Sequence, residues 1–325
     1  MLKEKISKQS ILILVLIIIL LGSLFTTLKV KEENARLKER INQKEIQFEL
    51  ISESVAWYDA GQFLEKQKKY HIQYAPLKEN ITRIINSNAI GTYGVYFEDL
   101  NTGASIGINE KEKYLPMSLF KVPLMMSILK KVETGEHSLD DKVILTVNDL
   151  DSNSGLLYLK GAGYQTTMRE LIDIMITESD NTAMRALANR YLDDGDYFKA
   201  LSIMGLPTTT DSRTKVSAKE YSNIFRSLYF SNYLRRPFSE LALTILLDTK
   251  FNSQIPAGVD ERVKVSHKVG FDYGTGYFHD CGIIYVPEEN YILCIMAKNT
   301  TQENADLVIS KISESIFDYK TDNLK

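Results

Sequence analysis

Cysteine and histidine are scarce in this chain of 325 residues: two cysteines, Cys281 and Cys294, and four histidines, His71, His137, His267 and His279. Neither set has the short spacings of a metal site, so no metal is expected and the histidines read as surface or packing residues. A basic excess is missing too. Lys and Arg number 39 against 42 Asp and Glu, a formal charge of −3, which argues against a nucleic-acid partner. No internal repeat or low-complexity tract occurs, and no cofactor is implied. The cysteines lie in apolar, strand-like runs; in an exported chain they pair or stay as buried thiols, and both alternatives are open.

Charge is absent from residues 11–28, a run dominated by Ile and Leu. As a helix it spans about 27 Å, close to a hydrocarbon core of about 30 Å. Lys3, Lys5 and Lys8 precede it, which places residues 1–10 in the cytoplasm and the rest of the chain outside the cell membrane. No small-x-small cleavage site follows, and the run exceeds the usual signal-peptide core, so it reads as a single-pass signal anchor. Gly and Pro are absent from the charged stretch between Val30 and Tyr58. There apolar residues recur in two heptad rows, Val30, Leu37, Ile51, Tyr58 and Ile41, Phe48, Val55, interrupted by Asn34 and Lys44. Residues 29–71 are therefore expected to form a helical stalk, either an unpaired amphipathic helix or a coiled coil joining two copies.

Residues 72–325 carry the patterns of one large domain. Helical spacing runs through Leu77–Ile85, Leu119–Val132, Thr166–Tyr191, Ala218–Tyr229, Glu240–Leu247 and Thr301–Tyr319. Strand-like runs are Thr92–Glu98, Ala104–Ile108, Val263–Val269, Cys281–Val286 and Tyr291–Ala297, with turns at Asn101-Thr102-Gly103 and Pro287–Asn290. Strands at both ends and helices between predict an α+β fold. Its antiparallel sheet is built from both ends of the domain and flanked by helices, with an inserted all-helical lobe. A cleft between sheet and lobe is the expected place for a site.

Ser118-Leu119-Phe120-Lys121 places a lysine one helical turn from a serine, within reach of its hydroxyl. A desolvated lysine can take the proton that keeps a serine hydroxyl a poor nucleophile. The same pattern recurs at Ser127–Lys130 and Ser212–Lys215. What separates the first copy is its setting: Ser179-Asp180-Asn181 follows 61 residues on, and Lys268-Val269-Gly270 a further 89. In that order the three elements resemble the S-x-x-K, S-D-N and K-T-G signature of class A β-lactamases and penicillin-binding proteins. Further likeness lies in Val95–Gly107, Pro116-Met117, Gly135-Glu136 with Leu139-Asp140, and Ile255-Pro256-Ala257-Gly258.

The resemblance implies a serine hydrolase that forms an acyl-enzyme on β-lactams or D-Ala-D-Ala-like peptides. Ser118 would attack the carbonyl, and Lys121 would be the base or relay a proton. Ser179 would carry a proton to the leaving nitrogen. Asn181 would bind the substrate's side-chain amide, and Lys268 an acidic substrate carboxylate. Gly270 and Phe271 would line the substrate, the backbone N–H groups of Ser118 and Phe271 forming the oxyanion hole. Asp180 would hold its loop by local hydrogen bonds. The reading from another class is an inactive homologue that binds cell-wall peptide or a protein partner.

Two departures bear on that expectation. Val269 stands where the family usually has a hydroxyl residue, removing one hydrogen bond to a substrate carboxylate, a loss of about 1.5–3 kcal/mol. No Glu-x-x-Leu-Asn occurs between Asn181 and Lys268; Leu206–Thr210 leads directly to Val216, with Asp211 as the sole carboxylate of the shortened connection. That glutamate activates the deacylating water in class A β-lactamases. Its absence predicts slow deacylation.

Overall fold

A computed structural model describes Lys31 and residues 74–208 and 214–322. The chain divides into two units, Met1–Glu49 and Leu50–Lys325, and the elements below lie in the second. The expected membrane anchor and stalk lie outside the described residues. Among the described residues no helix is long and apolar enough to cross a membrane, and no group of His, Cys, Asp and Glu could hold a metal ion.

Helix α1 (Ala75–Asn88) leads into strands β1 (Thr92–Asp99) and β2 (Ser105–Ile108), and the chain returns to the same sheet only with β5 (Lys264–Asp272), β6 (Tyr277–Tyr285) and β7 (Tyr291–Lys298). The five strands are antiparallel in the order β2-β1-β7-β6-β5, so β1 pairs with β7 along its full length, Thr92 opposite Lys298 and Asp99 opposite Tyr291. The sheet is thus built from both ends of the domain. It has apolar cover on both faces, and the two-residue period of a strand sorts the side chains between them. From β7, Tyr291, Leu293, Ile295 and Ala297 pack with α1 and the terminal helix α8 (Gln302–Asp322). Ile292, Cys294 and Met296 face the larger helical layer.

That layer comprises α2 (Lys121–Glu133), α3 (Met168–Thr177), α4 (Asn181–Tyr191), α5 (Asp194–Ile203), α6 (Ala218–Tyr229) and α7 (Arg236–Leu247). The single helix expected over Thr166–Tyr191 is divided. Thr167 and Glu170 form a capping box that starts α3, Ser179 takes a left-handed conformation (φ 56°), and Asp180 caps α4 by accepting from the Ala183 N–H. Helix α5 and a two-stranded ribbon of β3 (Lys142–Ile144) and β4 (Gln165–Thr167) are elements beyond those the periodicity indicated. Three-residue strands are too short to show alternation, and α5 has a weak amphipathic pattern.

Cys281 and Cys294 stand opposite each other on β6 and β7, both fully buried, and form a disulfide. The open question left by the sequence is settled by register: neighbouring antiparallel strands place the two side chains on one face.

On the far face, the buried Lys320 of α8 donates to Asp99 at 2.6 Å and to Glu289, while the Tyr74 hydroxyl donates to Asp99 at 2.7 Å. Burial disfavours the Asp99 carboxylate, but the adjacent Lys320 ammonium outweighs it and holds the pKa below its ordinary value.

Candidate active site

The turn carrying Ser118 forms because the chain enters α2 tightly. Met117 has φ 48°, residues Met117–Phe120 make one 3-10 turn, and α2 begins at Lys121 with Pro123 in its first turn, where proline costs little. Ser118 is half-buried. Strand β5 runs against this turn and only glycine fits the contact: a Cβ on Gly270 would lie 2.8 Å from the Pro116 carbonyl oxygen. Gly270 and Phe271, on an edge strand, are thereby brought beside the serine.

Lys121 is fully buried and turned toward the helical lobe. Its Nζ donates to the Ser179 carbonyl at 2.6 Å, to Asn181 Oδ1 at 2.8 Å and to Ser179 Oγ at 3.3 Å. The direct Lys121–Ser118 hydrogen bond allowed by the three-residue spacing is not made, because the lobe offers three oxygens in its place. From the opposite side, the buried Lys268 donates to Ser179 Oγ at 3.1 Å and to the Val269 carbonyl at 3.0 Å, with its Nζ 5.6 Å from the centre of the Phe251 ring. The Ser179 hydroxyl is therefore shared by two lysines.

Neither ammonium has a carboxylate in contact. Burial pushes Lys121 down to about 8, against the pull of Asp180 and Asp151. Lys268 is pushed well below its ordinary value by burial and by the charge of Lys121, opposed by Asp280. Two buried amines, both held below their ordinary basicity, suit proton transfer around a shared hydroxyl.

The lobe is held to the site by a loop that sequence reasoning left unassigned, Asp151-Ser152-Asn153-Ser154-Gly155. Ser154 Oγ donates to the Ser179 carbonyl at 2.7 Å, and the Asn181 N–H donates to the Ser154 carbonyl at 2.9 Å. Asp151 accepts from Asn181 Nδ2 at 3.4 Å and pairs with Arg185 at 2.6 Å, which turns the Asn181 amide oxygen toward Lys121. Asp180 ties the loop to α4 by accepting from the Leu157 N–H at 2.9 Å. Gly155 is obligatory there, at φ +83° with its missing Cβ only 2.0 Å from Asp180 Oδ2. The polar turn composition of 151–155 was visible, but nothing local says that it packs on Ser179.

The rival serine-lysine pairs fall elsewhere. Ser127 is buried in α2, bonded to the Pro123 carbonyl, and Lys130 pairs with Glu133. Ser212 and Asp211 lie outside the described residues.

A sheet assembled from both chain ends, with a serine turn at its edge strand and a helical lobe supplying the second serine, is the architecture of the β-lactamase/transpeptidase-like serine hydrolase superfamily. A model of the beta-lactamase enzyme family matches residues 76–320, and the chain belongs to that family. A β-lactamase of Phocaeicola vulgatus is 25% identical over 244 residues, covering 67% of this chain and 73% of that protein. The solved structure of PBP-A is similar with a TM-score of 0.70 at 21% identity, over 76% of this chain and 97% of that one. A PBP-A mutant solved as an acyl-enzyme complex with penicillin G gives 0.68 at 22% identity, over 76% and 97%.

Proposed function

We propose that this chain is a membrane-anchored serine acyl-transfer enzyme whose catalytic domain lies outside the cell and whose acyl-enzyme is released slowly. The observation that carries the reading is the Ser179 hydroxyl held between Lys121 and Lys268, beside the Ser118 turn. Ser118 Oγ attacks the carbonyl carbon of a β-lactam or of a D-Ala-D-Ala-like peptide while neutral Lys121, its Nζ turned from Ser179 and Asn181 to the Ser118 hydroxyl one helical turn away, takes its proton. The tetrahedral oxygen is met by the backbone N–H groups of Ser118 and Phe271. As the C–N bond breaks, Ser179 gives its proton to the leaving nitrogen and is resupplied by a lysine. A hydroxyl has two acceptor positions and one proton, so two donating lysines leave that proton directed away from both.

Lys268 supplies positive charge for an acidic substrate, weakened by the missing hydroxyl at Val269. Release of the acyl group lacks the loop glutamate of class A β-lactamases, and the PBP-A mutant solved as an acyl-enzyme complex with penicillin G supports formation of such an ester on a β-lactam. The apolar run at residues 11–28 with Lys3, Lys5 and Lys8 before it supports a domain beyond the membrane, and the heptad rows at 30–58 support a stalk that pairs two copies.

The test is intact-mass measurement of the detergent-solubilised full chain mixed with benzylpenicillin. A stable adduct on Ser118, absent in Ser118→Ala, supports the proposal. Rapid penicillin turnover without accumulation makes the protein a true β-lactamase with another deacylating base. No adduct, together with retained binding of wall peptide, makes it a non-catalytic binding domain.

A further inference from the structure

The strand β6 carries a buried histidine that the acyl-transfer reading does not use. His279 lies at 0% exposure under the segment that precedes Ser118, between the rings of Tyr114 and Tyr277, each 5.8 Å away and edge-on. The N–H of Ala297 donates to its Nδ1 at 3.2 Å, and its Nε2 lies 2.8 Å from the Leu115 carbonyl oxygen. The Leu115 carbonyl can only accept, so Nε2 is the donor, and Nδ1, which meets both the Ala297 N–H and the Phe278 carbonyl, is left in a neutral ring to accept from Ala297. A neutral ring then carries its single proton on Nε2, which donates to Leu115. Burial keeps the ring neutral, its pKa pushed down to about 4.

That bond is one of a set that fixes the backbone on either side of the nucleophile. Tyr114 exchanges two backbone hydrogen bonds with Val216 at 2.8 and 2.9 Å, Gly270 admits the Pro116 carbonyl, and the Tyr221 hydroxyl donates to the Leu119 carbonyl at 2.7 Å. Between them stands Met117 at φ 48°, the residue immediately before Ser118. A non-glycine residue in the left-handed region is strained and persists only where its surroundings over-determine it. The carbonyl held by His279 is two residues upstream of Met117.

We infer that His279, as the Nε2-protonated imidazole, is a positioning residue for the nucleophile: it pins Leu115 to the sheet and so holds Met117 strained and Ser118 aimed. The inference rests on Ser118 being the attacking group. It goes beyond that reading by assigning a role to a residue that touches neither substrate nor the lysines. Geometry also separates the two ends of the ring. An asparagine can keep the acceptor toward Ala297 but cannot reach Leu115, whereas a glutamine can extend a donor to Leu115 and gives up the acceptor.

The test uses the full chain. In wild type, selective 15N labelling of histidine reads the tautomer directly, and Nε2–H is expected for His279. Hydrogen exchange of the peptide covering residues 115–121 and benzylpenicillin acylation, divided into binding and chemical steps, are then compared for His279→Asn and His279→Gln. His279→Asn is expected to raise exchange across 115–121 and to slow the chemical step at least tenfold, with binding changed less than threefold. His279→Gln should stay within about threefold of wild type in both. An Nδ1–H tautomer in wild type overturns the inference, as does a folded His279→Asn with wild-type exchange in that peptide. If His279→Asn does not fold, the wild-type tautomer still decides. If wild type forms no penicillin adduct, tautomer and exchange decide this inference alone, and the failure falls on the acyl-transfer reading.

Discussion

Two regions of this domain bury lysines completely, and they treat them in opposite ways. Lys320, on the α8 face of the sheet, is given two carboxylates, Asp99 and Glu289. Lys121 and Lys268, on the other side, are given hydroxyl, amide and carbonyl oxygens and no carboxylate in contact. A buried charge with a counter-ion is a structural fastening, because removing either partner strands the other in a medium of low polarity. A buried amine without one is driven toward its neutral form and becomes a base. The same side chain is a fastening or a candidate base according to what the fold sets beside it.

Exchanging each lysine for methionine tests this contrast most strongly. Lys121→Met should lower Ser118 acylation by about 10²–10⁴-fold, the usual worth of a general base, while urea unfolding shows stability unchanged or raised. Lys320→Met should do the reverse. It leaves Asp99 and Glu289 uncompensated and should lower stability by about 3–5 kcal/mol, with acylation by the folded fraction retained. Equal loss of stability in both variants would erase the distinction.

The pH dependence sharpens the same comparison. Lys121 acts as a base only when neutral, so the acylation rate should rise with pH and level off above about 8. Its folded value lies below the ordinary 10.5, so between about 8 and 10.5 the unfolded chain binds more protons and this lysine's contribution to stability increases with pH. Asp99 acts in the acid range. Its lowered pKa stabilises the fold above 3.8, and that contribution is lost as pH falls through the folded value. Stopped-flow acylation and unfolding followed from pH 3 to 10 would show whether the two regions respond at opposite ends.

The smallest effect concerns substrate charge. Val269→Thr restores a hydroxyl beside Lys268 and should tighten benzylpenicillin binding by about 1.5–3 kcal/mol, roughly tenfold or more. An unchanged binding constant would mean that Lys268 is not aimed at the carboxylate.

Much of the fold was legible because its signals are local. Alternating apolar residues in β1 and β5–β7 and the 3.6-residue period of α6 need only their own segments to be read. The division at Ser179 was harder. Thr166–Tyr191 keeps helical spacing throughout, and only the left-handed Ser179 and the cap at Asp180 break it. For the site, Ser118, Lys121, Ser179, Asn181 and Lys268 could be picked out by type and order. Asp151, Ser154, Phe251 and His279 could not, since each acts through a contact with residues far away in the chain.

Ser118-Leu119-Phe120-Lys121 shows where the division falls. The sequence by itself determined the inventory: three serines each with a lysine a turn away, one of them followed by a second serine and a second lysine at family spacings, and no glutamate on the shortened connection. It also determined the strand and helix runs, because periodicity is a property of neighbouring residues. Only the tertiary structure decided where the lysine nitrogen goes, toward Ser179 and Asn181 and not to Ser118, and that both lysines are dry and lack contacting carboxylates. Those are outcomes of packing: desolvation and hydrogen-bond competition depend on what distant segments bring to the same few ångströms, and no local pattern records them.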